Sequence, residues 1–157
     1  MPTAHLVHGH VGAGKTTLAR ALEARHGAVR FSHDDWMVAL FGTDPDAARF
    51  PEWAARVHAL IDAVWPRCLA AGVDVVLDLA FWTRARRDAA RARVAALGAT
   101  ARLYVVACDP EEAWARVARR NAEPGALHVS RETFDLLRGR VEPLGADEAC
   151  EVVDGGR

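Results

Sequence analysis

The chain has 157 residues, of which 51% are hydrophobic and 26% charged, a composition typical of a soluble globular protein with one core. Its formal net charge of −1 does not favour a nucleic-acid or membrane partner. The N-terminal residues lack the pattern of a secretory signal, and no apolar run approaches the roughly 18 residues of a membrane span. Three scattered cysteines form no C-x-x-C pair and predict neither disulfides nor a zinc site. We therefore expect one cytoplasmic domain over residues 1–157, with no obligate protein partner evident.

Predicted strands and helices alternate along the chain. Short apolar runs predict strands at residues 4–8, 28–32, 73–77, 102–107 and 151–153. Helical spacing together with start and stop residues predicts helices at residues 15–26, 33–41, 52–71, 84–97, 110–121 and 130–140. Such alternation predicts an α/β fold, in which helices cover both faces of a parallel sheet.

The first strand leads into a glycine-rich loop. Residues 9–16, read as Gly9-His10-Val11-Gly12-Ala13-Gly14-Lys15-Thr16, fit G-x-x-x-x-G-K-[ST] and lie between a predicted strand and a predicted helix. We expect the loop amides, with Thr17 beside them, to bind nucleotide phosphates, and the Thr16 hydroxyl to bind magnesium. Lys15 is the only lysine among 20 basic side chains, because a slim ammonium reaches phosphates where a planar arginine fork fits poorly.

The chain lacks motifs that other classes of nucleotide-binding protein need. A GTPase needs an N-K-x-D motif to bind guanine, and the single lysine of this chain lies in the phosphate loop instead. The sequence also contains no D-x-x-G motif. Asp78 ends a buried apolar run but is followed by Leu79 rather than by an acidic residue that would activate water. The sequence therefore favours phosphoryl transfer to an acceptor hydroxyl over hydrolysis.

Transfer to a hydroxyl needs a carboxylate near the acceptor oxygen. Asp34 and Asp35 follow the second predicted strand, at the sheet edge where α/β proteins bind ligands. From the local pattern either is a candidate base, with the other capping the following helix, and both are equally compatible with simple helix-start positions.

The motif set resembles small P-loop kinases of the AAA_33 and polynucleotide 5′-kinase-like group, which have an adenylate-kinase-like fold. The resemblance rests on the loop, on Ser32-x-Asp34-Asp35, on Val76-x-Asp78 and on Arg119-Arg120-Asn121. The chain also resembles chloramphenicol phosphotransferase, the zeta toxins and gluconate kinase, but more distantly. The resemblance implies ATP and Mg²⁺ as cofactors, Asp34 as the general base, Arg120 on the ATP phosphates and Asp78 near the magnesium. For the sheet we expect the strand order 2-3-1-4-5.

The acceptor is the open question. The polynucleotide kinase has an arginine shortly after the aspartate pair that binds the acceptor's phosphate, whereas this chain has Trp36-Met37. A small molecule with a hydroxyl group is therefore favoured, with Trp36 and Trp82 as candidate pocket walls. The alternatives are a nucleic-acid 5′-hydroxyl and, in another class, an ATP-binding regulator without turnover.

Arginine clusters lie on two predicted helices. Arg116 and Arg120 share one helix face and are candidate phosphate ligands beside a lid at residues 116–130, the alternative being a solvated face. A second cluster, Arg84, Arg86, Arg87 and Arg91, opposes the dipole at the start of its helix. We expect it to be a surface cluster, with carboxylate partners or an acidic substrate as the alternative.

Overall fold

The computed structural model describes residues 1–155 and confirms the predicted fold class and strand order. The strands are β1 (Thr3–His8), β2 (Val29–Ser32), β3 (Val75–Ala80), β4 (Thr100–Ala107) and β5 (Glu151–Asp154). The helices are α1 (Lys15–His26), α2 (His33–Phe41), α3 (Phe50–Ala70), α4 (Arg84–Ala96), α5 (Pro110–Asn121) and α6 (Arg131–Arg138). All paired strands are parallel, in the order β2-β3-β1-β4-β5.

The central strand β1 is buried on both sides, because helices cover both faces of the sheet. Alternate residues of the strands enter two different cores. Leu6 and Leu77 pack with α2, α3 and α4 in one core, while Val7 and Val76 pack with α1 in the other. In α3, a buried stripe comes from residues four apart: Val57, Ile61, Trp65 and Leu69.

A third, smaller core joins α5 and α6 beside the glycine-rich loop. Val117 and Phe134 are buried in it, and Val11 of the loop packs against it. This core fixes the position of α5 and its arginines over the loop. In the described part of the chain, no helix is both long and apolar enough to cross a membrane.

Strand β3 extends three residues further than its apolar run predicts. Asp78 therefore lies within the strand, opposite Ser32 of β2, and Leu79 after it is buried. The chain then turns sharply, because Ala80 and Phe81 adopt φ angles of 64° and 48°. Side chains other than glycine adopt this region only where their surroundings hold them there.

The expectation of a surface arginine cluster is wrong for Arg87. Its side chain is 0% exposed and pairs with Glu148, whose side chain is 1% exposed. Arg87 also donates hydrogen bonds to the carbonyls of Phe81 and Trp82, at 3.1 and 3.3 Å. The arginine therefore holds the strained turn after β3 from within the protein.

Candidate active site

The phosphate loop joins β1 to α1 and needs glycine for two separate reasons. Gly12 and Gly14 have φ angles of 77° and 104°, which side chains rarely adopt. A Cβ atom on Gly12 would also collide with the backbone carbonyl of Ala113 in α5. The loop is thus packed closely against the helix that carries Arg116 and Arg120.

The N-terminus of α1 has no side-chain cap and no acidic residue in its first turn, where Thr17 is exposed. Four other helices differ, because each has an N-cap side chain that accepts a hydrogen bond from a backbone amide of its first turn. These caps are Ser32 for α2, Thr83 for α4, Asp109 for α5 and Ser130 for α6. The first amides of α1 are therefore free to bind an anion, and the helix dipole favours a negative charge there.

Lys15 folds back over the loop. Its Nζ donates a hydrogen bond to the carbonyl of His10 at 2.7 Å. Burial lowers the pKa of Lys15, while the charges of Asp78 and Asp34 act in the opposite direction. The ammonium group therefore lies between the loop and the two carboxylates.

Thr16 and Asp78 form an oxygen-rich pair beneath the loop. The Thr16 hydroxyl donates to Oδ2 of Asp78 at 3.2 Å. Burial raises the pKa of Asp78, and the nearby charge of Lys15 opposes the rise. Hydroxyl and carboxylate oxygens are the ligands that Mg²⁺ prefers, so the donor set fits this cation.

The structure places the two neighbouring aspartates in different surroundings. Asp34 opens towards the cleft with a side chain that is 68% exposed. Asp35 instead forms an ion pair with Arg30 of β2. Arg30 also lies 3.6 Å from Asp78 and 3.4 Å from Glu23. Of the two, Asp34 is the carboxylate without a guanidinium partner in the described chain.

The pKa of Asp34 lies below its usual value. Desolvation in the cleft acts to raise it, but a hydrogen bond from His33 and the charges of His33, Lys15 and Arg120 outweigh this effect. The carboxylate is therefore ionised at neutral pH. Arg120 and Lys15 both lie close enough for their charges to act on Asp34, so the three groups converge on one cleft.

His33 lies between two acceptors. Its Nδ1 is 3.5 Å from Oδ1 of Asp34, and its Nε2 is 3.3 Å from the carbonyl of Ala54. Both partners accept hydrogen bonds, so His33 can donate to both only as an imidazolium, and a neutral His33 leaves one contact without a proton. His33 therefore links Asp34 to the backbone of α3.

The His33 ring stacks on His58, with centroids 4.1 Å apart. Nδ1 of His58 is 3.1 Å from Nη2 of Arg86, which can only donate. Burial lowers the pKa of His58 to about 3, helped by the charges of His33 and Arg86. His58 is therefore neutral and holds the His33 ring in place. The sequence does not predict this stack, because His33 and His58 lie on two different helices, α2 and α3.

Two arginines of α5 point to the loop. Nη1 of Arg116 donates to the carbonyl of Ala13 at 3.4 Å, and its Nη2 pairs with Glu112. Nε of Arg120 is buried and has no hydrogen-bond partner in the described part of the chain. A buried donor without a partner is costly, so this guanidinium is suited to receive an oxyanion.

The predicted pocket walls have distinct positions. Trp82 donates its indole Nε1–H to the carbonyl of Gly9 at 3.0 Å, which ties the turn after β3 to the loop. Trp36 is half-buried and packs beside Phe31, while Met37 is completely buried. The residue at position 37 therefore belongs to the core and not to the cleft.

The predicted lid begins on α5 and continues to residue 130. The Asn121 side chain makes two hydrogen bonds with the backbone of Val129, at 2.7 and 3.0 Å. The amide of His128 donates to the carbonyl of Thr43, at 3.0 Å. The segment thus reaches from α5 across to the loop that follows α2.

Comparison with known proteins agrees with this geometry. The AAA_33 family model, described as an AAA domain, matches residues 5–144. The chain belongs to the AAA_33 family. No curated protein resembles this AAA_33 chain closely enough in sequence to count as a match.

Solved structures share the fold of this AAA_33 chain. A proposed kinase from Chloroflexus aurantiacus J-10-fl has a TM-score of 0.77 at 21% identity, with 98% of this chain and 88% of that chain covered. A component of the Pnkp1/Rnl/Hen1 RNA repair complex has a TM-score of 0.73 at 18% identity, with 88% and 43% covered. A gluconokinase from Sinorhizobium meliloti 1021 has a TM-score of 0.65 at 16% identity, with 99% and 84% covered. The predicted resemblance to small P-loop kinases is confirmed.

Proposed function

We propose that the chain is an ATP- and Mg²⁺-dependent phosphotransferase that moves the γ-phosphate of ATP to a hydroxyl group of a small molecule. The observation that carries this proposal is the proximity of an exposed, ionised Asp34 to Lys15 and to Arg120, whose buried Nε has no hydrogen-bond partner in the described residues. A binding module needs the loop and the lysine, but it needs neither a free carboxylate nor a second free cation.

Each group has a role in the proposed reaction. Lys15, the loop amides and Arg116 hold the phosphates, while Arg120 stabilises charge that develops on the transferred group. Thr16 and Asp78 hold Mg²⁺, which supplies a positive charge to the phosphate oxygens when bound. The acceptor oxygen forms a bond to the γ-phosphorus as the bond to the ADP oxygen breaks. The hydroxyl proton passes to Asp34.

The surroundings of Asp34 support a small-molecule acceptor. No arginine follows the aspartate pair in α2, and Met37 is buried in the core. Trp36 and Trp82 offer apolar and stacking surface, and the net charge of −1 gives no general attraction for a polynucleotide. The likeness to a component of an RNA repair complex favours the second candidate, a 5′-hydroxyl kinase of nucleic acids.

The test is transfer of labelled γ-phosphate with Mg²⁺ to two pools of acceptors, hydroxylated metabolites and 5′-hydroxyl oligonucleotides. Label on a small molecule supports the proposal, and label on oligonucleotides alone replaces it by the second candidate. ATP binding without label in either pool favours the regulator.

With the acceptor in hand, Asp34→Asn is expected to lower transfer by about 10²–10⁴-fold, since it removes the proton acceptor. ATP affinity should stay unchanged. The control Asp88→Asn removes a carboxylate of α4 that pairs with Arg84 and Arg91 outside the cleft. Full transfer by Asp34→Asn would remove Asp34 from the role of base.

A further inference from the structure

Three potential metal ligands meet at the N-terminal ends of strands β1 and β3, at the opposite end of the sheet from the phosphate loop. His5 lies near the start of β1, His26 ends α1, and Asp74 immediately precedes β3. One ligand atom from each lies within 4.8 Å of the others. We infer that His5, His26 and Asp74 bind a divalent first-row transition-metal ion of the Zn²⁺ type.

His5 provides the strongest reason for a ligand at this position. Its side chain is 1% exposed, and its Nε2 atom is buried with no hydrogen-bond partner in the described part of the chain. Buried polar atoms in proteins are nearly always paired, so an unpaired ring nitrogen needs an explanation. A metal ion would use the lone pair of this nitrogen.

The other ligand atoms of His5 and Asp74 are already engaged. Nδ1 of His5 is 3.1 Å from the hydroxyl of Tyr104, and Oδ1 of Asp74 accepts from the amide of Thr3 at 2.8 Å. Metal-binding histidines and carboxylates usually have such outer partners, which fix the ring and leave one atom for the ion. Nε2 of His5 and Oδ2 of Asp74 are the atoms left here.

The third ligand can complete the site by a small movement. The rings of His5 and His26 are stacked, with centroids 4.4 Å apart and planes at 29°, so one ring must turn before a nitrogen of each can face a common ion. His26 is exposed in the last turn of α1, so its side chain can rotate. Solvent reaches the ion from this side and supplies a fourth ligand.

The electrostatics of the position suit a cation. The C-terminus of α1 carries the negative end of the helix dipole, and Asp74 adds a full negative charge. His5 is buried, and its Nε2 has no hydrogen-bond partner in the described part of the chain, so the atom that would face the ion is not otherwise engaged. Arg102 is the opposing positive charge in this region.

The chemistry of the ligand atoms also distinguishes this proposed metal site from the proposed magnesium site. Two imidazole nitrogens and one carboxylate favour Zn²⁺ and its neighbours, while Mg²⁺ prefers the oxygens of Thr16 and Asp78. The two sites lie at opposite ends of α1, about 16 Å apart along a helix that rises 1.5 Å per residue. The same helix would thus hold phosphate at one end and a metal ion at the other.

The test is calorimetric titration of the full chain with Zn²⁺ in excess Mg²⁺, in a Cys150→Ser background that removes an exposed thiol. We expect one equivalent to bind and to raise the melting temperature. His26→Ala and Asp74→Asn should each weaken binding at least about tenfold. His128→Ala, which removes an exposed histidine of the lid, should leave the affinity unchanged.

Co²⁺ serves as a second probe. We expect a ligand-field spectrum without a thiolate charge-transfer band, lost in His26→Ala. Because His26 is exposed, this variant should keep its circular dichroism spectrum and its ATP affinity. Parent-like Zn²⁺ affinity in either ligand variant, or a parent Kd weaker than about 1 mM, would overturn the inference.

Discussion

Two arginines on helices, Arg87 of α4 and Arg120 of α5, have opposite surroundings. Arg87 of α4 is completely buried, and all of its guanidinium nitrogens donate, to Glu148 and to four backbone carbonyls. Arg120 of α5 is half-buried, and its Nε has no partner in the part of the chain that the structure describes. The described protein therefore satisfies the hydrogen-bonding groups of the first arginine and leaves Nε of the second without a partner, as the proposed role of Arg120 on the phosphates requires.

The contrast between Arg87 and Arg120 distinguishes a charge that stabilises the fold from a charge that is suited to bind a ligand. Removing a guanidinium from water costs several kcal/mol, which Arg87 recovers through its pairing with Glu148. Arg120 and Lys15 form no buried ion pair of that kind in the described chain, although the charges of Asp34 and Asp78 act on Lys15. The nearby α1 amides add the positive end of a helix dipole, so the region as a whole suits an anion.

The sharpest test of this contrast is Arg120→Ala. We expect transfer to fall about 10³-fold, because an arginine on the transferred phosphate has effects of this size. The free energy of unfolding should change by less than about 0.5 kcal/mol, since no internal hydrogen bond is lost. Arg119→Ala, an exposed neighbour, is the matched control and should retain activity. Equal losses in both variants would contradict the contrast.

The opposite outcome is expected for Glu148→Gln. The change leaves the Arg87 charge buried without its anion and should lower the free energy of unfolding by about 3 kcal/mol at pH 7, measured by urea titration. Asp147→Asn removes an exposed carboxylate next to it and should cost less than about 1 kcal/mol. Similar small losses in the two variants would show that burial of the pair is unimportant.

The same pair predicts an acid sensitivity. The hydrogen bond from Arg87 holds the pKa of Glu148 well below its usual range, against the effect of burial. Its contribution to stability is therefore complete above the unfolded pKa of about 4.3 and is lost as pH falls towards the folded value. Glu148→Gln should flatten the decline of stability below pH 4.3.

The sequence predicts the groups that lie close together along the chain. The loop, its lysine and the capped start of α2 are local patterns, so their positions follow once strands and helices are recognised. The position of Asp78 follows from the end of an apolar run, and the expected strand order accompanies the resemblance to small P-loop kinases. The end of β3 is missed because Asp78 interrupts the apolar run, although Asp78 itself pairs with Ser32 of β2 and Ala80 pairs with His8 of β1.

Contacts between distant residues could not be read from local patterns. Arg87 and Glu148 are 61 positions apart, and a run of arginines at a helix start is equally typical of a surface. The choice between Asp34 and Asp35 depends on a nearer residue, Arg30, which is only five positions from Asp35 but could not be assigned to either aspartate from the local pattern. The metal-ligand set likewise joins the ends of three elements.

A smaller effect is expected at the histidine stack beside Asp34. Burial lowers the pKa of His58 to about 3, so the folded protein keeps it neutral at pH 5 while the unfolded chain protonates it. Stability should therefore fall as pH drops from 6.5 to 5, by about 1 to 2 kcal/mol for this group. His58→Gln should remove that part of the decline in urea titrations at the two pH values. An unchanged decline would place the titrating groups elsewhere.

The smallest effect concerns the residue that joins the two regions. The carbonyl of Trp82 accepts from Arg87, and its indole donates to Gly9 at the start of the phosphate loop. Trp82→Phe keeps most of the ring and removes one hydrogen bond, so we expect a loss of about 1 kcal/mol in ATP binding, or roughly fivefold in Kd.

If the buried pair positions the loop through Trp82, the effects of Trp82→Phe and Glu148→Gln on ATP affinity should not add in a double-mutant cycle. Additive effects would mean that the arginine network stabilises the fold without reaching the phosphate site. A coupling of about 0.5 kcal/mol or more would show that Trp82 links the Arg87–Glu148 pair to the phosphate loop.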